Sequence, residues 1–321
     1  MPIRKDVIMK LSDHLITFSQ GDCIYRFLPS GDIFSFTNGP FLINQFRGTS
    51  LDGSVNNIYL RIFLPDRIST YPLLGIRASG KASRSDRALR LTGRVEDISY
   101  TVTFRPENNL WFWDITLSGT NRDVDLIYGQ DLGISAETAV YTNELYTSQY
   151  LGHSVFSEDN GYVVCSRQNL PSHSCNPYVQ QGAIGCRAIH YSTDGLQFFG
   201  LSCKETGTPA ALSSDLEDTV LQYEFAYIAL QTEKIHLNGE VSVGFYGMFL
   251  RDHPDAVTAP QPQAQIFCIH EKAGEDCGVF FPLKSVRLKG EFVQPLSSLP
   301  FSAEEIDFLF PRRSLEEIRE N

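Results

Sequence analysis

The sequence predicts an all-β fold, built as one large antiparallel sandwich. Apolar and polar residues alternate with a period of two in several segments, and turn signals separate these segments at short, fairly even intervals. Alternation of this kind places one row of side chains on a core and the other toward solvent or a second layer. More than a dozen short strand candidates with such turns favour a single large sandwich over βαβ units.

The clearest alternation predicts strands at residues 99–105, 111–117, 221–229 and 241–245. Shorter apolar runs predict further strands, at residues 23–27, 32–37, 58–64, 123–128, 161–166, 183–191 and 196–203. Gly, Asn, Asp and Pro cluster between the runs, at residues 29–32, 37–40, 52–53, 106–109, 160–161, 194–195 and 238–239. These residue types favour turns, so the boundaries of the strands follow from them.

After Phe249 the alternating pattern gives way to a polar segment that begins at Arg251. We expect residues 1–255 to form the sandwich and residues 256–300 to form a connecting segment that still packs on it. Ser302 and Ser314 each open a Ser-x-x-Glu capping-box pattern, which predicts a short C-terminal helical segment over residues 301–321. Because a helix of this length has little stability alone, we expect it to begin a helical linker in a longer protein.

Composition excludes several classes of function. The chain has 321 residues, of which 42% are hydrophobic, and a net charge of −11 without a basic block, so we predict no nucleic-acid partner. Its apolar runs fall short of the ~20 residues needed to cross a bilayer, and no secretory signal is evident, so we predict a cytoplasmic protein without membrane contact. Seven cysteines without a C-x-x-C pair predict reduced thiols and no metal site. No cofactor motif is present, and we predict none.

The candidate site lies in residues 126–169, the part of the chain richest in amides, carboxylates and tyrosines. Planar hydrogen-bonding groups and flat rings suit the hydroxyls and C–H faces of a sugar. The alternative is that the same residues occupy turns and strand edges, with the backbone as their partner. The candidate substrate-binding residues are Gln130, Asp131, Asn143, Glu144, Tyr146, Gln149, Tyr150, His153, Arg167, Gln168 and Asn169.

Two catalytic hypotheses can be drawn from this stretch, although no catalytic motif supports either. His153 would act as a base if Glu144 or Asp131 lay close to it; the alternative is a histidine hydrogen-bonded at a strand end. Asp131 and Glu144 are the first pair to test for glycoside cleavage, which usually needs two carboxyls at a controlled separation. The sequence does not give that separation.

The Trp111-Phe112-Trp113 triplet offers an aromatic surface on which a sugar could stack. Both tryptophans fall on one side of an alternating strand, so we predict that they pack in the core. Phe112 would then face another layer or a partner.

Six runs of residues carry a resemblance to a known family, at residues 101–104, 110–113, 126–133, 142–150, 166–169 and 221–227. These runs resemble the N-terminal part of bacterial 1,2-β-oligoglucan phosphorylases, which belong to glycoside hydrolase family 94 together with the phosphorylase part of cyclic β-1,2-glucan synthases. The resemblance covers most of residues 20–255 and is densest from residue 100 to residue 230. It implies a galactose-mutarotase-like β-supersandwich that precedes a helical linker and an (α/α)₆ barrel.

In that family the general acid and the phosphate pocket belong to the barrel, so we assign no catalytic residue to this chain. The resemblance implies a non-catalytic domain with three kinds of partner: a β-glucan oligosaccharide, a barrel on the same or a separate chain, and a second copy in a homodimer. Two alternatives remain open. The chain could be a freestanding carbohydrate-binding module, or an enzyme of the aldose mutarotase type that uses His with a carboxylate.

Overall fold

The computed structural model describes residues 15–223, 225–273 and 277–284, together with Ser302, Glu304 and Phe308. About half of these residues lie in strands, which pair almost entirely in antiparallel fashion, and this confirms the predicted all-β class. By its contacts the chain forms two compact units, Met1–Val286 and Arg287–Asn321. In the second unit, Glu304 and Phe308 are helical, while Ser314 lies outside the described residues. The domain boundaries at residues 255 and 300 stay predictions.

The smaller sheet has five strands. They are β1 (Ile16–Gln20), β2 (Cys23–Phe27), β3 (Ile33–Asn38), β4 (Phe41–Leu42) and β11 (Ser135–Ala136), paired in the order β1-β2-β3-β4-β11. Inward residues of β2 are buried and alternate with half-buried ones, as the sequence pattern predicts. The strand β2 has the bounds predicted for residues 23–27.

The larger sheet has thirteen strands. They are β5 (Asn57–Phe63), β6 (Ile68–Pro72), β7 (Lys81–Arg84), β8 (Leu89–Val95), β9 (Ile98–Glu107), β10 (Leu110–Asp131), β12 (Leu151–Glu158), β13 (Gly161–Gln168), β14 (Tyr178–Ile184), β15 (Ala188–Asp194), β16 (Ala226–Thr232), β17 (Ile235–Leu250) and β18 (Phe281–Pro282). Its longest strand, β10, pairs with β9 and β17 along its first half and with β5 and β16 along its second half.

The two sheets pack face to face through aromatic side chains. The ring of Phe104 lies 4.7 Å from that of Phe27 on β2 and 5.4 Å from that of Phe36 on β3, so one residue of the larger sheet contacts two strands of the smaller one. Trp111 and Trp113 have no exposed surface, and Trp113 lies 4.9 Å from Phe104. Both tryptophans therefore belong to the core, as predicted.

Short helices accompany the two sheets. They are α1 (Glu137–Thr142), α2 (Glu144–Ser148), α3 (Gly195–Phe199), α4 (Cys203–Thr206) and α5 (Gln263–Ala273). The helix α1 contacts β4 and β11 of the smaller sheet, whereas α3 contacts β15 and β16 of the larger one. Phe112 of the larger sheet is fully buried, and the His270 ring of α5 lies 5.0 Å from it. The layer that Phe112 was predicted to meet is thus α5, whose Ile266 packs in the same apolar cluster.

One predicted strand is wrong and two are wrong in part. Residues 196–203 are mainly helical, because Asp194 accepts a hydrogen bond from the main-chain N–H of Gln197 at 2.7 Å and caps α3. Residues 183–191 form two strands, and Gly185 turns the chain between them with a φ of 71°. The strand predicted at residues 221–229 begins only at Ala226.

Candidate functional site

The structure places the eleven predicted site residues in three separate regions. Three of them are buried beside the core: Gln130, Asp131 and Gln168. Five lie on or next to the α1–α2 hairpin: Asn143, Glu144, Tyr146, Gln149 and Tyr150. The other three lie on or beside β12 and β13: His153, Arg167 and Asn169.

Asp131 ends β10 and fixes the loop that follows β4. Its Oδ2 accepts hydrogen bonds from the main-chain N–H groups of Gln45 at 2.9 Å and Phe46 at 2.5 Å. Its own N–H donates to Oδ1 of Asn56 at 2.6 Å. Burial raises the pKa of Asp131 to about 6, although the two main-chain donors oppose this shift. The carboxyl therefore joins segments that lie 85 residues apart in the chain.

The two buried glutamines also bind parts of the protein. Gln130 accepts a hydrogen bond from the hydroxyl of Tyr128. Gln168 donates from Nε2 to the carbonyl of Thr147 at 3.1 Å and accepts from the N–H of Leu170 at 3.1 Å. Because both side chains are fully buried and hydrogen-bonded within the fold, their geometry is that of structural groups.

The α1–α2 hairpin carries an exposed aromatic pair. Asn143 caps α2 by accepting a hydrogen bond at Oδ1 from the N–H of Tyr146 at 3.0 Å, which explains why this stretch is helical and not a strand edge. The rings of Tyr146 and Tyr150 lie 5.1 Å apart, edge to face, and their hydroxyls lie 3.2 Å apart. The carbonyl of Gln149 accepts a hydrogen bond from Gln222 at 2.6 Å.

His153 lies on β12, beside β13. Its Nδ1 lies 2.8 Å from Oγ of Ser166, and its Nε2 is buried without a partner among the described residues. Burial lowers the pKa of His153 to about 4, so the ring is neutral near pH 7. Within the described ranges, neither Asp131 nor Glu144 forms a hydrogen bond with this ring. The geometry therefore matches the alternative to a catalytic base, which was a histidine hydrogen-bonded at a strand end.

Arg167 fixes the chain after β17. Its Nε donates to the carbonyl of His253 at 2.7 Å and its Nη2 donates to that of Pro254 at 2.8 Å. Its Nη1 donates to Oδ1 of Asn169 at 2.5 Å. Three of its donors are therefore bound to protein acceptors.

A cleft of about 300 Å³ lies between α1–α2 and the loop after β4. We call it the hairpin cleft. Its lining residues are Gln45, Phe46, Arg47, Val140, Tyr141 and Glu144. Glu144 is the one predicted site residue in this lining. No local pattern points to residues 45–47, because only the tertiary fold brings them to the cleft.

A larger cavity of about 590 Å³ lies under the segment between β15 and β16. Its walls are largely apolar and include Tyr59, Leu145, Leu196, Phe199, Leu212 and Phe225. Among the described residues, eight of the twelve exposed large hydrophobic side chains fall in residues 141–146 and 196–223, and three of them, Leu145, Leu196 and Tyr223, line this cavity. Arg77 and Lys204 also line it. The apolar run at residues 196–201 belongs to this part of the fold, but its pattern predicts a strand and not the wall of a cavity.

In the described part of the chain, no group of three or more His, Cys, Asp or Glu side chains is arranged to hold a metal ion. No helix in the same part is long and apolar enough to cross a membrane.

Comparison with known proteins gives both sequence and structural relatives. The chain is 35% identical over 242 residues to the 1,2-beta-oligoglucan phosphorylase of Listeria innocua serovar 6a, a match that covers 75% of this chain and 22% of that enzyme. A galactose 1-epimerase from Lactobacillus acidophilus NCFM aligns with a TM-score of 0.41 and 8% identity, over 74% of this chain and 95% of the epimerase. A bacterial glucoamylase complexed with acarbose aligns with a TM-score of 0.43 and 11% identity, over 80% of this chain and 33% of the glucoamylase.

The sequence also matches a described family of domains. The match to the SOGP N-terminal domain family spans residues 26–247, which is more than half of the chain and includes β10 and the whole α1–α2 hairpin. The chain belongs to the SOGP N-terminal domain family.

Proposed function

We propose that this chain is a non-catalytic β-sandwich domain of a β-1,2-glucan oligosaccharide phosphorylase. It contacts carbohydrate and supports a separate (α/α)₆ catalytic barrel. The observation that carries this proposal is the match to 22% of a 1,2-beta-oligoglucan phosphorylase, which is the share expected of one domain.

The chemistry of the two candidate carboxyls supports the non-catalytic part of the proposal. Phosphorolysis requires an acid that protonates the leaving glycosyl oxygen as phosphate attacks. Asp131 is fully buried, and its Oδ2 accepts from two main-chain N–H groups. Glu144 lines a small cleft on the other side of the loop that Asp131 holds. We therefore assign the acid to the barrel.

The exposed apolar side chains around the 590 Å³ cavity support the role of a scaffold. Leu201 is 88% exposed and Tyr223 is 57% exposed. Several large apolar side chains exposed in one part of a fold indicate a contact with another protein or domain. In the proposed enzyme, the barrel covers this surface.

A domain exchange tests the proposal. The chain replaces the matching region of the Listeria innocua enzyme, and phosphate-dependent cleavage of sophorose is measured for the chimera and for the chain alone. We expect a folded, active chimera and no cleavage by the chain alone. Cleavage by the chain alone contradicts the non-catalytic role, and a folded but inactive chimera contradicts the supporting role.

The exposed pair of Tyr146 and Tyr150 favours a second candidate, a freestanding carbohydrate-binding module. Adjacent rings of this kind suit stacking on the C–H faces of sugars. Calorimetric titration of the chain with β-1,2-glucans of increasing length separates the two functions. Micromolar binding that strengthens with chain length supports the module, whereas weak binding by the lone chain supports the domain of a larger enzyme.

A further inference from the structure

We propose that the hairpin cleft binds a single neutral pyranose ring. This inference rests on the proposed function, which makes the ring a glucosyl unit of a β-1,2-glucan. It adds the place of binding, the size of the bound unit and its charge. Three features of the cleft carry it: an unpaired buried donor, an unpaired acceptor and an apolar wall.

The unpaired donor is Nε2 of Gln45. This side chain is 2% exposed, and its Oε1 accepts a hydrogen bond from Oγ of Ser148 at 3.3 Å. Its Nε2 has no partner among the described residues. The bond from its main-chain N–H to Asp131 holds the residue at the cleft. Nε2 is itself shielded from solvent, so the Gln45 side chain must turn toward the cleft that it lines before it can donate to a ligand hydroxyl. A buried amide that lacks an acceptor is unfavourable, and the bond formed in this way would remove that cost.

The unpaired acceptor is the carboxylate of Glu144, which is half-buried in the same lining. No hydrogen bond or ion pair engages this carboxylate within the part of the chain that the structure describes; only the main-chain carbonyl of Glu144 is used, by the hydroxyl of Thr147. A sugar hydroxyl both donates and accepts. One ring can therefore accept from Gln45 and donate to Glu144.

The rest of the lining sets the size and charge of the ligand. Phe46, Val140 and Tyr141 provide apolar surface for the C–H groups of a ring. Arg47 is already engaged, because it pairs with Glu137 at 2.8 Å and lies 4.2 Å from the ring of Tyr141. Glu144 is thus the charge left uncompensated, which disfavours a sugar phosphate. A volume of about 300 Å³ is at the lower end for ligand sites and suits one ring.

Titration of the intact chain, followed by amide chemical shifts, tests the proposal. The probes are glucose, sophorose and glucose 1-phosphate. We expect millimolar binding of the two neutral sugars with shifts at residues 45–47 and 140–144, and weaker binding of the phosphate. Gln45→Met removes the donor and Glu144→Gln removes the charged acceptor, and each should weaken binding about tenfold. The matched controls Gln20→Met on β1 and Glu240→Gln on β17 should leave the affinity unchanged.

The outcomes separate this proposal from the proposed function. No binding of either sugar, or binding that both Gln45→Met and Glu144→Gln leave unchanged, overturns the sugar site. Tighter binding of glucose 1-phosphate overturns the assignment of a neutral ligand. If the Listeria chimera is active while the cleft binds no sugar, the domain function stands and this inference fails.

Discussion

The indole ring of Trp111 occupies the space in which a side chain on Gly247 would lie. The two residues are direct partners across β10 and β17, and a Cβ on Gly247 would overlap Cε2 and Cζ2 of the indole. Two other direct pairs repeat this arrangement of an aromatic ring beside a glycine, Gly93 with Tyr100 and Gly182 with Tyr246. Rings that fill the space beside cross-strand glycines pin the register of a twisted sheet.

We therefore expect Gly247→Ala to lower the free energy of unfolding by about 3 kcal/mol, because the indole has no space into which to move in a packed core. Gly119→Ala is the matched control. There the nearest atom is the flexible Cδ2 of Leu237 at 3.0 Å, so the loss should be much smaller. Denaturant unfolding followed by tryptophan fluorescence measures both. Equal losses of unfolding free energy in the two variants would show that the Trp111 indole moves freely to make room for a side chain on Gly247.

The ion pair between Arg61 and Asp125 gives a second prediction. Nε of Arg61 lies 2.8 Å from Oδ1 of Asp125 and Nη2 lies 2.6 Å from Oδ2, with both side chains almost fully buried. Removal of the Asp125 charge leaves the buried Arg61 with a single carboxylate partner, the exposed Asp215, whose Oδ1 lies 3.2 Å from Nη2. Asp125→Asn should therefore lower the free energy of unfolding by about 3–5 kcal/mol.

A surface pair provides the control for that substitution. Asp97 and Arg122 lie 3.1 Å apart with both side chains well exposed. Because water screens such pairs, Asp97→Asn should leave the denaturation midpoint almost unchanged. If Asp125→Asn also unfolds at the wild-type midpoint, the buried pair does not stabilise the fold in the way we describe.

Local patterns in the sequence predicted the strands far better than the site. Alternation placed Trp111 and Trp113 in the core because a strand has a fixed period of two. The helical turn after Asp194 was missed because one capping side chain outweighs an apolar run. Glu144, which lines the hairpin cleft, stood out by composition, whereas Gln45 is held at the cleft by Asp131 through a contact between distant segments. Such contacts leave no periodic signal.

The cysteines give a third prediction, about reactivity. Cys268 is exposed on α5, whereas burial raises the pKa of Cys165 and of Cys186 to about 12 in each case. Because the thiolate is the reactive form, Cys268 should react first with Ellman's reagent, and the other two only after unfolding. Mass spectrometry of labelled peptides identifies each site. Cys268→Ser should remove the fast phase, and labelling of native Cys165 at the same rate would contradict its burial.

Burial displaces the pKa values of Asp131 and His153 in opposite directions. It raises the pKa of Asp131 from 3.8 to about 6 and lowers that of His153 from 6.5 to about 4. Between pH 4 and 6 the folded state therefore holds a proton on Asp131 that the unfolded chain has released. Over the same range the unfolded chain holds a proton on His153 that the folded state lacks. As the pH rises, Asp131 lowers the free energy of unfolding and His153 raises it, so the two effects largely cancel.

Single substitutions should separate these two effects. Relative to the wild type, the free energy of unfolding of Asp131→Asn should increase by roughly 3 kcal/mol between pH 4 and 6.5, because the penalty of ionising the buried carboxyl is gone. That of His153→Asn should decrease over the same range. Denaturant unfolding at half-unit pH steps measures both profiles, and the double variant should track the wild type. If the free energies of unfolding of both variants, relative to the wild type, changed in the same direction with pH, one of the two groups would not be held in its neutral form by burial.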